Sequence, residues 1–406
     1  MHPIIAALKH HKTAVVLVVL EIALTCAIVS NALFLIGDRL SAMQLSTGVV
    51  DNELVSVSSS GLREDATPTS HAALVQTDLA ALRGMPGVKS AFMVNSLPLL
   101  SASMWRSGIS TQPGLSKATL NGVAMYVGTP GVVAGLGITL AQGRDFLPQE
   151  YVDYSPFSNK PAPPAVIVTR ALADRLWPGQ NALGQPIFMG DKGKYVTHVV
   201  GVAAHLLNPN LSSRDDSEYN LLLPVQSVNG GIYVLRATPV ARDITLRDIP
   251  AVLERVDNER IITSKSYVQS VSDYFHDDRS MIWLLLVVIG CLLAVTALGV
   301  VGLSSFWVQQ RTHQIGIRRA IGATRRNILT YFQVENFLIV SGGIVLGLLL
   351  AVALNLLLMK QYELPRLPLT YLPIAAIVLW LLGQLAVLGP ALRAAAVPPV
   401  VATRSV

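Results

Sequence analysis

Residue types that commonly carry catalysis or bind metals are scattered along this chain rather than clustered. The 406 residues contain no His-Glu-x-x-His, Cys-x-x-Cys or Gly-x-Ser-x-Gly motif, and no Gly-x-x-x-x-Gly-Lys-Ser/Thr loop for ATP. The remaining candidates are typical of surface, turn and helix-flank positions: His71, His198, His205, His276, Asp215-Asp216 and Asp277-Asp278. We therefore predict a non-catalytic chain with no metal site and no bound cofactor of its own.

One stretch is chemically distinctive: Arg311–Leu329 carries five arginines, two glycines and no acid. Positions seven apart fall within about 20° on an α-helix, so an unbroken helix would align Arg311, Arg318 and Arg325. The same helix would carry a second basic row, formed by Arg319 and Arg326. It would also carry an apolar stripe, formed by Ile317, Ile321 and Ile328. The segment is therefore predicted to be amphipathic and basic.

Two interpretations fit this basic segment. Its arginines could meet anionic lipid headgroups, at about 1 kcal/mol each, or the segment could dock in a groove of another protein. Each internal glycine costs a helix about 0.8–1.0 kcal/mol relative to Ala, which a lipid anchor would not require. Gly316, Ala320 and Ala323 form a small-residue surface, and Gly322 could end one helix where Thr324 caps the next. These features favour docking, although both interpretations can hold for different arginines.

Four apolar runs are long enough to cross a bilayer, which takes about 20 residues: 13–36, 281–308, 329–359 and 371–389. Their short flanks hold nine of the 31 basic residues and none of the 25 acidic ones: 1–12, 309–328 and 390–406. The positive-inside rule then places these flanks, and both termini, in the cytoplasm. The net charge of +6 therefore reflects topology and not nucleic-acid binding. The first run exceeds the roughly 7–15 residues of a signal-peptide core, so we expect a retained anchor.

The region 37–280, between the first two runs, is predicted to lie outside the cytoplasm, as is the short loop 360–370. Strand and helix patterns alternate in 37–280, including a helix with Val75, Leu79 and Leu82 on one face. The sequence thus predicts an α-helical membrane protein with four transmembrane helices, one followed by three. A large mixed α/β domain, divided into two lobes, separates the first helix from the second.

Polar and small residues also stand within or beside the apolar runs. A carboxylate in a membrane span is costly and usually faces protein or water, which applies to Glu21 and Glu335. We interpret both as structural or interfacial carboxylates, with a proton relay as the alternative. They could form a polar network with Gln333, Asn336 and nearby arginines. Gly343 and Gly347 form a Gly-x-x-x-Gly pattern that predicts close helix packing, within the chain or between subunits.

The basic segment from Ile315 to Ile328 resembles the signature of FtsX-like permeases, the membrane subunits of MacB-type ABC transporters. The order of short motifs before it is similar to the MacB-like periplasmic core domain, and the tail is similar to the family's C-terminal end. These motifs are Gly128-Thr129-Pro130, Gly143-Arg144-Asp145-Phe146, Gly184-Gln185-Pro186-Ile187, Val199-Val200-Gly201-Val202 and Pro390-Ala391-Leu392-Arg393-Ala394-Ala395. The resemblance extends over nearly the whole chain.

The resemblance implies a permease subunit of the bacterial inner membrane, paired with a second permease that is identical or different. MacB itself carries an ATPase before its first span, whereas the first span here starts at residue 13. We therefore expect ATP and Mg²⁺ to be bound by a separate ABC ATPase chain. The residues expected to contact it are Ile315, Gly316, Ile317, Arg318, Arg319, Ala320, Ile321, Gly322, Ala323 and Arg325.

The function implied by the resemblance is mechanotransmission, in which ATP-driven motion in the cytoplasm moves the periplasmic domains. Efflux of a hydrophobic, antibiotic-like or peptide-like substrate from the periplasm is the expected result. A periplasmic adaptor and an outer-membrane channel are the partners such a route would use. Two alternatives remain, namely an FtsX-like regulator that activates a periplasmic partner and a permease that extracts lipoproteins.

Overall fold

The computed structural model describes residues 12–61, 68–100, 105–114, 118–155, 160–190, 193–211, 216–362 and 367–396. The chain divides into two compact units. Residues up to Met43 and from Asp277 onward form the first, termed the membrane unit, and Gln44–His276 form the second, termed the α/β domain. The predicted features at residues 1–11, Asp215 and residues 397–406 lie outside the described residues.

Helix α1 (Lys12–Met43) precedes the α/β domain, which alternates strands and helices as predicted. Its strands are β1 (Leu54–Gly61), β2 (Val88–Val94), β3 (Trp105–Ile109), β4 (Leu120–Gly128), β5 (Leu140–Gly143), β6 (Ala165–Thr169), β7 (Pro186–Met189), β8 (Tyr195–Ala203), β9 (Asn220–Pro224), β10 (Ile232–Ala237) and β11 (Arg260–Ser266). Its helices are α2 (Pro68–Arg83), α3 (Val132–Leu136), α4 (Arg170–Leu176), α5 (Arg242–Glu254) and α6 (Tyr267–Tyr274). The membrane unit then continues with α7 (His276–Gln310), α8 (Thr312–Ala320), α9 (Arg325–Tyr362) and α10 (Tyr371–Ala396).

The described strands of the α/β domain form one sheet in the order β11-β1-β10-β2-β4-β9-β6-β8-β5, with β3 on β4 and β7 on β8. β4 pairs with β9 and β6 with β8 in parallel, so each of these pairs needs a crossover connection. β2 and β4 share a single residue pair, Val94 with Gly128, and the sheet is narrowest there. The division into two lobes stays a prediction.

Helix α2 packs through the face that its residue spacing predicts. Val75, Leu79 and Leu82 are at most 1% exposed, because residues three and four apart share one face of a helix. The helix begins at Pro68, a position that suits proline because first-turn N–H groups have no helical partner. Its last turn is closed by the Gly84 N–H, which donates to the Ala80 carbonyl at 3.2 Å.

The same helix face carries a charge that the apolar pattern does not predict. Asp78 is fully buried and accepts hydrogen bonds from both terminal nitrogens of Arg260, at 2.6 and 2.8 Å, and from the Tyr233 hydroxyl at 2.6 Å. Burial, and then the bond to the Asp78 carboxylate, raise the pKa of Tyr233. Removing two charges from water costs several kcal/mol, so a buried pair needs such complete bonding. The cluster ties α2 to β10 and β11.

We expect Tyr233→Phe to lower the free energy of unfolding by about 2 kcal/mol, because hydrogen bonds to charged groups contribute roughly 1.5–3 kcal/mol. Thermal unfolding of the full chain in detergent would measure the change. Tyr219→Phe is the matched control, since Tyr219 is a half-buried tyrosine of the same domain for which no side-chain hydrogen bond to a described residue is seen. That variant should stay within about 0.5 kcal/mol of wild type. Equal loss in the two variants would contradict the role given to the Asp78 cluster.

Four helices of the membrane unit are long and apolar enough to cross a membrane, with mean hydropathy between 2.2 and 2.9 over their most apolar windows. They extend past the predicted spans because helical hydrogen bonds continue through the polar flanks. α1 ends at Met43 rather than at residue 36, and α7 begins at His276 rather than at 281. α9 begins at Arg325 rather than at 329, and α10 ends at Ala396 rather than at 389.

Helix α9 packs on α1 through two glycines one turn apart. A Cβ at Gly343 would lie 2.7 Å from the Ile22 Cβ, and one at Gly347 would lie 2.5 Å from the Cys26 Cβ. Small residues at this spacing let two helix backbones approach closely. The Gly-x-x-x-Gly pattern therefore packs helices within the chain.

Gly347→Val is expected to lower the thermal stability of the chain in detergent, because the added side chain would overlap α1. Overpacking of this kind typically costs about 1–3 kcal/mol. Gly342→Val provides the control on the same helix, where a Cβ meets no atom of the described residues within 4 Å. The Gly342 variant should unfold close to the wild-type temperature. A larger loss at Gly342 than at Gly347 would contradict the packing argument.

Candidate coupling site

The basic segment folds as a short helix, a tight turn and the start of a longer helix. Gly322 has φ +106°, a left-handed conformation that favours glycine. The Ala323 N–H donates to the Arg318 carbonyl at 3.0 Å and the Gly322 N–H to the Arg319 carbonyl at 3.2 Å, which is the Schellman pattern of a helix C-terminus. The Thr324 hydroxyl then accepts from the Asn327 N–H at 3.2 Å and caps α9. The break and the cap lie where Gly322 and Thr324 predict them.

Because the helix breaks, the basic rows and the apolar stripe that an unbroken helix would carry do not form. Arg311 precedes α8, whereas Arg325 follows the turn and belongs to α9. Among the isoleucines, Ile328 is buried, whereas Ile317 is 41% and Ile321 82% exposed. The segment thus buries one of these three isoleucines and exposes the other two.

One face of α8 is fixed to its own chain. Ile315 is 5% exposed and packs in an apolar cluster that includes Ile328 and Phe332 of α9. The remaining buried members of this cluster lie on α10: Ala391, Ala394 and Ala395. Gly316 is also buried. Two of the ten residues expected to contact an ATPase therefore hold α8 against the rest of the membrane unit.

The other predicted contact residues are open to solvent to different degrees. Arg319 and Ala323 are half-buried. The exposed members are Ile317, Arg318, Ala320, Ile321, Gly322 and Arg325. Two isoleucines thus stand exposed beside arginines on a short helix whose opposite face is buried.

A buried ion pair connects the end of α7 to α9. Arg311 Nη1 lies 3.1 and 3.0 Å from the two carboxylate oxygens of Glu335, whose side chain is 1% exposed. The Arg311 guanidinium also lies over the Trp307 ring, 5.5 Å from its centroid. A single guanidinium nitrogen thus donates to both carboxylate oxygens, and hydrogen bonds between charged groups are stronger than those between neutral ones. Glu335 is thus paired with Arg311 inside the membrane unit.

The predicted polar network forms only in part. Asn336 donates to the Gly383 carbonyl at 2.8 Å, and the Gln333 carbonyl accepts from Gln384 at 3.5 Å. Glu21 is not part of this network. Its carboxylate faces Gly299 of α7, and its buried Oε1 has no hydrogen-bond partner among the described residues.

The candidate metal and catalytic residues do not come together. No group of three or more His, Cys, Asp or Glu among the described residues could hold a metal ion. His205 lies 3.4 Å from Glu218 in an exposed contact. Asp277 and Asp278 occupy the first turn of α7, where Asp278 pairs with Arg39 at 2.6 Å.

Four membrane-length helices, an α/β domain inserted after the first and a basic helix–turn–helix after the second define a permease-type membrane subunit. The family model for the MacB-like periplasmic core domain matches residues 14–252, more than half of the chain, and that for the FtsX-like permease C-terminal region matches 286–399. The chain belongs to this family of MacB-like, FtsX-like ABC transporter permeases.

Named relatives agree with this assignment. The Escherichia coli macrolide export ATP-binding/permease protein MacB is 26% identical over 295 residues, which are 68% of this chain and 40% of MacB. The Acinetobacter baylyi MacB is 24% identical over 340 residues, which are 80% of this chain and 46% of the relative. A probable syringafactin export ATP-binding/permease protein of Pseudomonas syringae is 27% identical over 214 residues, covering 49% and 31%. The chain spans less than half the length of each of these relatives.

Two solved structures are similar to part of the chain. The periplasmic region of MacB from Actinobacillus actinomycetemcomitans aligns with 58% of this chain and 98% of its own, at 12% identity and a TM-score of 0.36. The extracellular domain of the ABC-type transporter YknZ from Gram-positive bacteria aligns with 52% and 99%, at 12% identity and a TM-score of 0.34.

Several residues of the site have no sequence signal of their own. The Trp307 ring packs against the Arg311 guanidinium. The Tyr331 ring packs against the Arg318 guanidinium, which lies 5.1 Å from the ring centroid. The spacing of four between Trp307 and Arg311 is compatible with such a contact on a helix. Arg318 and Tyr331 lie on different helices, and only the fold brings them together.

Proposed function

We propose that this chain is the permease subunit of an ABC transporter whose separate cytoplasmic ATPase moves the periplasmic α/β domain. The observation that carries the proposal is the exposure of Ile317 and Ile321 on a helix whose other face is anchored by Ile315. Exposed apolar side chains that sit together on a fixed helix are typical of a binding surface. Of the ten residues expected to contact the ATPase, the buried Ile315 and Gly316 would then anchor α8, and the others would face the partner.

Two connections would carry motion away from α8 in this proposal. Ile315 packs against Phe332 and Ile328 of α9, and the Arg311–Glu335 pair joins the end of α7 to α9. α7 is covalently continuous with the α/β domain at His276, where that domain ends. Motion imposed on α8 would therefore act on both helices.

Orientation and partners follow from the same proposal. Both chain termini and α8 lie in the cytoplasm of a bacterium, and the α/β domain lies in the periplasm. Two permeases, identical or different, associate with ATPases that bind ATP and Mg²⁺. Family membership and the basic flanks support this arrangement.

The proposed substrate is a hydrophobic, antibiotic-like or peptide-like compound taken from the periplasm. Support comes from the relatives, whose names specify export of macrolides and of a syringafactin. A periplasmic adaptor and an outer-membrane channel would complete the route. In this proposal ATP is hydrolysed by a partner ATPase; the 406 residues themselves contain no P-loop.

Purification with and without its ATPase tests the proposal. We expect the chain alone to hydrolyse no ATP, and the complex recovered from native membranes with the tagged chain to hydrolyse ATP. A hydrophobic substrate should change the rate of that complex. ATP turnover by the purified chain alone, or recovery of the chain without any ABC ATPase, would contradict the proposal.

A further inference from the structure

A small cavity lies between α8 and the first turns of α9. It is partly open and has a volume of about 130 Å³. Ile315, Ile328 and Phe332 form an apolar part of its wall, and each is at most 6% exposed. Ala323 of the turn also lines the cavity. The cavity therefore opens on the same helix–turn–helix that carries the exposed isoleucines.

The volume limits what the cavity can hold. An apolar cavity of about 150 Å³ accommodates a molecule the size of benzene. The cavity thus has room for one apolar side chain, and a lipid acyl chain would exceed it several-fold. A phosphate headgroup alone would leave the apolar wall of Ile315, Ile328 and Phe332 in contact with water, at a cost in free energy.

The polar part of the wall is positive. Arg311, Arg318, Gln314 and Asn327 contribute hydrogen-bond donors, and none of the described residues that line the cavity is acidic. Arg311 already forms an ion pair with Glu335. Arg318 lies over the Tyr331 ring and forms no ion pair with any described residue. A carboxylate at the mouth of the cavity would match this remaining positive charge.

We propose that the cavity receives one apolar side chain of the partner ATPase, with an aspartate or glutamate of the same ATPase segment placed against Arg318. The inference rests on the proposed function, because it assumes that the ATPase binds at α8. It adds a second mode of contact, in which the partner inserts into the permease in addition to covering its exposed isoleucines. Fully desolvated pockets filled by one side chain commonly contribute most of the binding energy of an interface.

Photo-crosslinking in the native host tests what occupies the cavity. A benzophenone amino acid replaces Gln314, an exposed residue on the cavity wall, in the full-length chain. We expect an adduct with an ABC ATPase peptide that contains an apolar residue next to Asp or Glu. A phospholipid adduct, or no adduct, would overturn the inference. The same amino acid at Ile321 tests the proposed function separately, since it should crosslink to the ATPase in either case.

A filled cavity provides the second test. Ala323→Leu places bulk inside the cavity, and we expect ATPase binding to weaken about tenfold or more. Thr330→Leu, at an exposed position of α9 outside the cavity wall, should stay within about twofold of wild type. Wild-type binding by the Ala323 variant would overturn the cavity inference alone. If Ile321→Asp also bound normally, the proposed function itself would fail.

Discussion

Ile321→Asp is expected to weaken binding of the ATPase subunit at least about 100-fold and to abolish ATPase activity in the complex. Ile321 is 82% exposed, so the substitution removes no packing within the chain. In the complex, however, an aspartate at this position would have to lose its hydration inside an apolar contact. Truncation of a central apolar contact alone commonly costs about 2 kcal/mol or more, and a buried unpaired charge adds to that loss.

The matched control is Ile244→Asp, since Ile244 is an exposed isoleucine of helix α5 in the α/β domain, with 62% exposure. Both variants should insert into the membrane and unfold at the wild-type temperature. Co-purification with the ATPase and ATP turnover of the complex are the measurements. If Ile321→Asp assembles and turns over ATP as well as Ile244→Asp does, α8 is not the ATPase contact.

Glu335→Gln is expected to lower the free energy of unfolding of the membrane unit by about 3–5 kcal/mol. The variant leaves Arg311 without its carboxylate in a largely buried place, and breaking one side of a buried pair usually costs that much. Because 14% of the Arg311 side chain remains exposed, we expect a value near the lower end of this range. Thermal unfolding of the full chain in detergent measures the change.

The double variant Arg311→Met with Glu335→Met separates charge from packing. It removes both charges and keeps apolar volume, so stability should return to within about 1–2 kcal/mol of wild type. Arg39→Met serves as a further control, because the Arg39 side chain is 39% exposed and its pair with Asp278 should contribute 1 kcal/mol or less. A double variant as unstable as Glu335→Gln would show that the charges are not the cause.

Local features of the site could be predicted from sequence because their causes are local. The turn after α8 forms where Gly322 can adopt a positive φ and Thr324 can cap the next helix. The GxxxG pair could be predicted for a similar reason, since spacing alone places Gly343 and Gly347 on one face of α9. The basic row of Arg311, Arg318 and Arg325 does not form, because it required an unbroken helix. Gly322 already argued against such a helix.

Partnerships over long distances could not be predicted. Asp78 and Arg260 are 182 positions apart, and nothing near either residue indicates the other. Glu21 and Glu335 look alike in sequence, since each is a glutamate beside apolar residues. The fold gives Glu335 an arginine and turns Glu21 toward Gly299 instead. Which of the two carboxylates has a partner depends on how each helix is rotated about its own axis. This rotation is set by packing and cannot be read from composition.

The turn between α8 and α9 has an evolutionary consequence. Gly322 and Thr324 fix this turn, and Ile315 and Gly316 form the buried face of α8. Ile317, Ala320 and Ile321 can then vary without loss of the fold. If α8 is the proposed ATPase contact, duplicated permeases of this kind could acquire different ATPases through a few surface substitutions in this nine-residue helix. The specificity for the partner would then diverge while the fold stays constant.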